Sequence, residues 1–300
     1  MHSQAAPTPV ASENGVFAFF ESGDCLAVSH EGILQWHRAL AQSVGEDRGN
    51  HGLGGSPLLF ERGLVVPFDQ QGPACLLALD RTTGATLWKT DRPDRVGWST
   101  PIAVLRGDEW QIIVSAGGTV AGYEVETGKQ RWEVEGILKN TVPSPTAAES
   151  ILVIGSGSKG SNLALNLVPG TNAPTPLWRS TLATCGFASP LIHRGRAYFL
   201  SKAGVLTCVD ARTGRLLFDE RVNDGGWASP IGAGERIYVF GEKTTTTVLA
   251  ALDRFQPLAT NELKFSKTVC GVAATDRALL FRAYEELVCI RNSRLTEAPK

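Results

Sequence analysis

Leu76-Leu77-Ala78-Leu79-Asp80-Arg81-Thr82-Thr83-Gly84-Ala85-Thr86-Leu87-Trp88 is a short apolar run, an acidic residue, a Thr-Gly pair and an aromatic four residues after the glycine. The pattern returns as Val120-Ala121-Gly122-Tyr123-Glu124-Val125-Glu126-Thr127-Gly128-Lys129-Gln130-Arg131-Trp132. It returns again as Leu206-Thr207-Cys208-Val209-Asp210-Ala211-Arg212-Thr213-Gly214-Arg215-Leu216-Leu217-Phe218. Each part has a physical reason. Asp80, Glu124 and Asp210 can accept hydrogen bonds from the exposed N–H groups of a turn. Gly84, Gly128 and Gly214 supply the positive φ that a tight hairpin with a bulge requires. The flat aromatics suit packing between two sheets. Self-similarity at this period decides the fold before any other reading.

A second marker precedes each hairpin: Ser or Thr, then Pro. The copies are Thr8-Pro9, Ser56-Pro57, Thr100-Pro101, Ser144-Pro145, Ser189-Pro190 and Ser229-Pro230, with a degenerate copy at Ala273-Ala274. They recur every 40–48 residues, the length of a four-stranded propeller blade. The expectation is an all-β propeller, WD40-like in architecture, forming one domain over residues 1–300 with almost no helix. Its seven four-stranded repeats run approximately over 4–49, 50–93, 94–138, 139–183, 184–223, 224–266 and 267–300. The last blade reads as three strands, because the polar tail after Ile290 has no Thr-Gly turn. The parent chain is therefore expected to extend upstream, with an eight-bladed ring possible in it.

Net charge is −1, which gives no argument for a nucleic-acid partner. No apolar run is long enough for a transmembrane helix, and no signal peptide is visible. The six cysteines have no metal-like spacing. Cys25, Cys75, Cys208 and Cys289 read as small core residues on strands, while Cys185 and Cys270 stay open.

The Leu-x-Ala-Leu-Asp-x-x-Thr-Gly-x-x-Leu-Trp copies resemble the repeat of the pyrroloquinoline-quinone-like β-propellers. That family includes quinoprotein alcohol dehydrogenases and the propeller lipoprotein of the outer-membrane assembly machinery. The resemblance covers about Ala5 to Ile290. It implies that Trp36, Trp88, Trp132, Trp178 and Phe218 dock between blades, and it places the protein in the bacterial periplasm or cell envelope. The missing signal peptide leaves the cytoplasm open. Fold does not carry activity with it.

Two functions compete. A quinoprotein dehydrogenase needs an adjacent Cys-Cys pair, a Trp platform and a Ca²⁺ site of several charged oxygens; this chain has no adjacent cysteines. The preferred reading is a non-enzymatic, monomeric scaffold with no cofactor or metal that binds a protein or peptide partner. Trp98, Phe187 and Trp227 are expected at one mouth of the central channel, where an exposed aromatic can anchor a partner. Asn50, His51 and Lys139 are expected as its polar rim.

Overall fold

The computed structural model describes residues 6–45, 52–93, 95–137, 142–169, 173–242, 245–263, 269–283 and 285–291. It is a β-propeller of seven antiparallel sheets, each built from strands consecutive in the chain. Six sheets have four strands; the seventh, Val269–Ala274, Ala278–Ala283 and Glu286–Arg291, has three among the described residues. The one helix there is a single turn, Ala41–Val44. The chain forms two compact units. The first holds Met1–Ser156 and Leu165–Pro176; the second holds Gly157–Ala164 and Leu177–Lys300.

The middle strands read as continuous apolar runs because both faces are covered. In the second sheet, strand Gly63–Phe68 sends Leu64, Val66 and Phe68 toward the first sheet, against Phe17, Phe19 and Trp36. Val65, between them, turns to the third sheet and meets Ile112, Val114 and Tyr123. The period of two thus places alternate residues in two different cores. In the second unit, the fifth and sixth sheets share one core around Tyr198, Leu200, Ile237 and Val239. The sixth and seventh share another around Phe240 and Phe281.

The repeated hairpin forms as its residues require. Asp80 Oδ1 accepts the N–H of Thr82 at 2.9 Å, the N–H of Thr83 at 2.8 Å and the Thr83 hydroxyl at 3.0 Å. Asp210 does the same with Arg212 and Thr213. Glu124 instead takes the Thr127 hydroxyl and the Arg131 guanidinium. The turn glycines have φ of 68°, 69° and 72°, and a bulge follows Ala78, Gly122 and Cys208.

Each glycine also answers to the preceding sheet. A Cβ on Gly84 would lie 2.8 Å from the Trp36 ring, one on Gly128 2.3 Å from Trp88, and one on Gly214 2.5 Å from Trp178. The indoles bond at the same place. Trp36 Nε1 donates to Arg81 O at 3.0 Å, Trp88 Nε1 to Val125 O at 2.9 Å, and Trp178 Nε1 to Ala211 O at 2.9 Å. Trp36 and Trp88 are buried and Trp178 is half-buried.

Trp132 bonds differently. It is buried, but its Nε1 donates to Gln111 Oε1 in its own sheet at 2.9 Å. The fourth repeat lacks the Thr-Gly hairpin and so presents no equivalent carbonyl. Gly122 stands where Ala27 and Ala78 oppose the other indoles. A Cβ there would lie 2.2 Å from the Trp132 ring, so the ring settles onto its own sheet. Arg106 reaches the fourth repeat instead, donating to Leu167 O and Val168 O at 3.2 and 3.3 Å. The sixth repeat, also without Thr-Gly, sets Phe255 edge-on to Phe218 at 5.7 Å.

The Ser/Thr-Pro marker is a second repeated contact. The N–H of Thr8 donates to Ser56 Oγ, that of Ser56 to Thr100 Oγ1 and that of Thr100 to Ser144 Oγ. In the second unit the N–H of Ser189 donates to Ser229 Oγ at 2.9 Å. The proline after each has no N–H to satisfy. Cys25, Cys75, Cys185 and Cys208 are buried, but Cys289 is exposed, which corrects its reading as a core residue. It lies on the last described strand of the seventh sheet, where no fourth strand is described.

Gly128→Ala and Gly234→Ala separate the two demands on the turn glycine. Both positions have positive φ, but nothing lies within 4 Å of a Cβ on Gly234. Gly234→Ala is expected to cost only left-handed strain, about 1–2 kcal/mol. Gly128→Ala adds the collision with Trp88, about 1–3 kcal/mol more. Equal losses in urea unfolding would remove the docking role of the glycine.

The hairpin carboxylates also set a pH dependence. The backbone N–H of Thr83 holds Asp80 below the usual carboxylate range, and the Thr213 hydroxyl does so for Asp210. A lowered folded-state pKa means that the unfolded chain binds protons more readily, so stability rises with pH. The contribution is complete above the ordinary Asp value of about 3.9 and is lost as pH falls through the lower folded values. Asp80→Asn/Asp210→Asn should flatten the acid limb of the unfolding free energy. An unchanged acid limb would show that these caps are energetically idle.

Candidate functional site

Phe187 and Trp227 sit on the connections that lead into the fifth and sixth sheets. Glycines draw these connections tight against their neighbours. A Cβ on Gly225 would lie 2.2 Å from Lys202 O, and one on Gly226 2.3 Å from Phe240 O. The result is a parallel stack, with ring centroids 4.1 Å apart and planes at 20°. Lys202 Nζ stands over the Phe187 ring at 5.2 Å. Trp227 is 48% exposed and Phe187 is half-buried. An exposed indole held by a second ring and by compact backbone is pre-ordered for contact, which lowers the entropic cost of binding.

Trp98, grouped with these two by its place in the repeat, lies in the first unit. Its Nε1 donates to Gly52 O at 3.1 Å. Its ring fills the space that a Cβ on Gly54 would take, at 2.6 Å. It is half-buried. Asn50, His51 and Lys139 lie outside the described residues. Lys202 was absent from the sequence reading. Its only signal is its place in the turn Lys202-Ala203-Gly204.

A buried ion pair lies elsewhere in the first unit. Asp69 and Arg92 form an ion pair with side chains 2% and 1% exposed. Burial pushes the Asp69 carboxyl up, opposed by the Arg92 and Arg95 guanidiniums. Arg92 also lies over the Tyr123 ring at 5.7 Å. Among the described residues, Asp69 Oδ2, Arg92 Nε and Arg92 Nη2 are buried without a hydrogen-bond partner. Perturbed groups cluster at functional sites, but structural ion pairs are perturbed too. This pair is closed to solvent and reads as structural.

No group of three or more His, Cys, Asp or Glu side chains suited to a metal occurs among the described residues. Burial pushes the Cys25, Cys75 and Cys208 thiols up to about 12 and Cys185 higher still. Thiols held this high are not nucleophiles near neutral pH. The donor set does not fit a quinone with its calcium. Of the described acids that accept several bonds, Asp80, Glu124 and Asp210 spend them on their own hairpins and Asp24 spends them on Ser22 and His37 of its own repeat.

Breaking the buried pair and replacing it should differ sharply. Asp69→Ala leaves the Arg92 charge uncompensated and should cost about 3–5 kcal/mol, whereas Asp69→Leu/Arg92→Met should be near neutral or stabilising. Urea midpoints measure both. A double variant as unstable as the single one would mean that the pair supports something beyond itself.

No curated protein matches the sequence. Among solved structures, the chain is similar to BamB from Moraxella catarrhalis, at 15% identity and a TM-score of 0.73, covering 95% of this chain and 81% of that one. It is also similar to Sqt1 from Saccharomyces cerevisiae, at 12% identity and a TM-score of 0.69, covering 93% and 82%. A quinohemoprotein alcohol dehydrogenase from Comamonas testosteroni aligns at 9% identity and a TM-score of 0.68, covering 91% and 62%. At these identities the likeness concerns the fold alone. The family model described as outer membrane protein assembly factor BamB matches residues 74–173 and 166–256. Those matches span more than half of the sequence, with all three Thr-Gly hairpins inside them, and the chain belongs to that family.

Proposed function

We propose that this protein is a non-enzymatic interaction scaffold that binds a protein or peptide partner through the Phe187–Trp227 stack. The observation that carries the reading is the exposed, rigidly backed Trp227. Interface energy concentrates in such aromatic anchors. The family's description as an outer-membrane assembly factor supports a place in a bacterial cell envelope. The family's description supports assembly rather than turnover.

The test places a photo-crosslinking amino acid at position 227 in the full chain, in cells. A discrete protein adduct is expected, and it should vanish with Phe187→Ala, which removes the ring behind the indole. With the purified partner, Trp227→Ala should weaken binding by about thirty-fold, the scale of a hot-spot residue of 2 kcal/mol. Parallel incubation with pyrroloquinoline quinone and Ca²⁺ should yield no dye-linked alcohol oxidation. Turnover there, together with unimpaired partner binding by Trp227→Ala, would replace the scaffold by an enzyme.

A further inference from the structure

One end of the second unit is lined by arginine. In an antiparallel four-stranded sheet, the turn between the first two strands and the turn between the last two share an end. In the fifth and sixth sheets these ends are joined directly. His193 Nε2 meets Gly234 O at 2.8 Å, and Arg194 pairs with Glu235 at 3.6 Å. Arg196 pairs with Asp253 at 2.5 Å. The seventh sheet keeps the same sense, because its first strand starts beside Glu242, at the opposite end of the sixth.

This end also carries Arg212, Arg215, Arg236, Arg254, Arg277 and Arg291, all exposed and in no ion pair among the described residues. The acids there are Asp210, which holds its own turn, Glu235 and Asp253, which are paired, and Asp276. The arginines exceed the acids eight to four, and the described residues of this end include no lysine. Exposed apolar side chains lie between them: Leu216 at 42%, Leu252 at 38%, Leu258 at 49% and Ile290 at 37%.

We propose that this end of the second unit docks an amphipathic segment of a protein partner that presents carboxylates beside apolar side chains. The choice of occupant follows from chemistry. Planar guanidiniums take carboxylates in paired hydrogen bonds, which lysine cannot match. Arginine with exposed leucine is the make-up of a protein interface, where arginine is enriched and lysine depleted. A phosphate backbone would gain nothing from the four apolar side chains and would meet Glu235, Asp253 and Asp276. The surface lies on different turns from the Phe187–Trp227 stack and shares with that reading only the class of partner.

The test uses the full chain and a labelled synthetic helix with Glu along one face and Leu along the other. Binding is followed by fluorescence anisotropy, against versions with Gln or Lys in place of Glu. The Glu helix is expected to bind at least about ten-fold more tightly than the Gln helix, and to weaken as salt is raised. Arg236→Glu/Arg277→Glu should reduce binding at least about ten-fold, and Arg236→Lys/Arg277→Lys should lose part of it. A circular-dichroism melt checks that these exposed substitutions leave the fold intact. Trp227→Ala should bind the helix as the parent does, so failure of the aromatic site and failure of this one are distinguishable. Equal binding of Glu and Gln helices, no effect of the double variant, or tighter binding to phosphatidylglycerol vesicles or duplex DNA would each overturn the proposal.

Discussion

The structure depends on one contact between neighbouring repeats: an indole N–H given to the first free carbonyl of the next hairpin. Trp36, Trp88 and Trp178 each make it, to Arg81, Val125 and Ala211. The carbonyl is available because the acid before it and the Thr after it close the turn on themselves. The ring fits because the turn residue beside it has no Cβ. The hydrogen bond alone contributes about 1 kcal/mol. Its larger effect is directional, since it fixes where a large apolar ring is buried and hence how one sheet lies on the next. A repeat cannot bury its second face alone, so this contact is also what makes each repeat complete.

The fourth and sixth repeats, which lack the Thr-Gly hairpin, show which part of the device is obligatory. Without a Thr-Gly hairpin, the fourth repeat leaves backbone carbonyls for which no indole is aimed. Arg106 supplies the missing donors, and Trp132 turns inward to Gln111. The sixth repeat meets Phe218 with Phe255 in place of a carbonyl. Satisfied polar groups and a filled gap between sheets are therefore the constraint, and tryptophan on glycine is one solution to it. The sixth repeat's outer strand, Pro257–Glu262, follows from the same logic: with no aromatic to bury, it is exposed along its length.

Much of the fold was legible because its cause is local and repeated. Thr-Gly at fixed distance from an aromatic, and Ser/Thr-Pro every 40–48 residues, are short-range signals. What could not be read depends on pairs distant in the chain. Whether Trp132 bonds forward or back is decided by a hairpin missing from the next repeat and by Gly122. Cys289 occupies the same repeat position as Cys208 but is exposed: Cys208 lies opposite Phe218 on a fourth strand of its sheet, and no fourth strand is described beside Cys289. The Phe187–Trp227 stack joins two connections 40 residues apart, and Asp69 and Arg92 belong to no motif. Asn50, His51 and Lys139 read from the sequence as loop residues on a rigid scaffold, a criterion that marks where binding occurs in proteins generally and singles out no one loop.

The hairpin also explains how such a rigid array can carry different surfaces. The residue after the acid is committed through its carbonyl, yet its side chain is Arg81, Val125 or Ala211. The next residue is committed to the turn only through its N–H or not at all, and there the chain places Thr82, Glu126, which meets Arg62 at 3.4 Å, and Arg212, all exposed. Backbone groups hold the sheets together, so those side chains are left to vary in charge without disturbing the lock. The neighbouring turns have the same freedom, as at Arg236 and Arg277. One unchanged architecture can therefore present a neutral, acidic or basic end to whatever it meets.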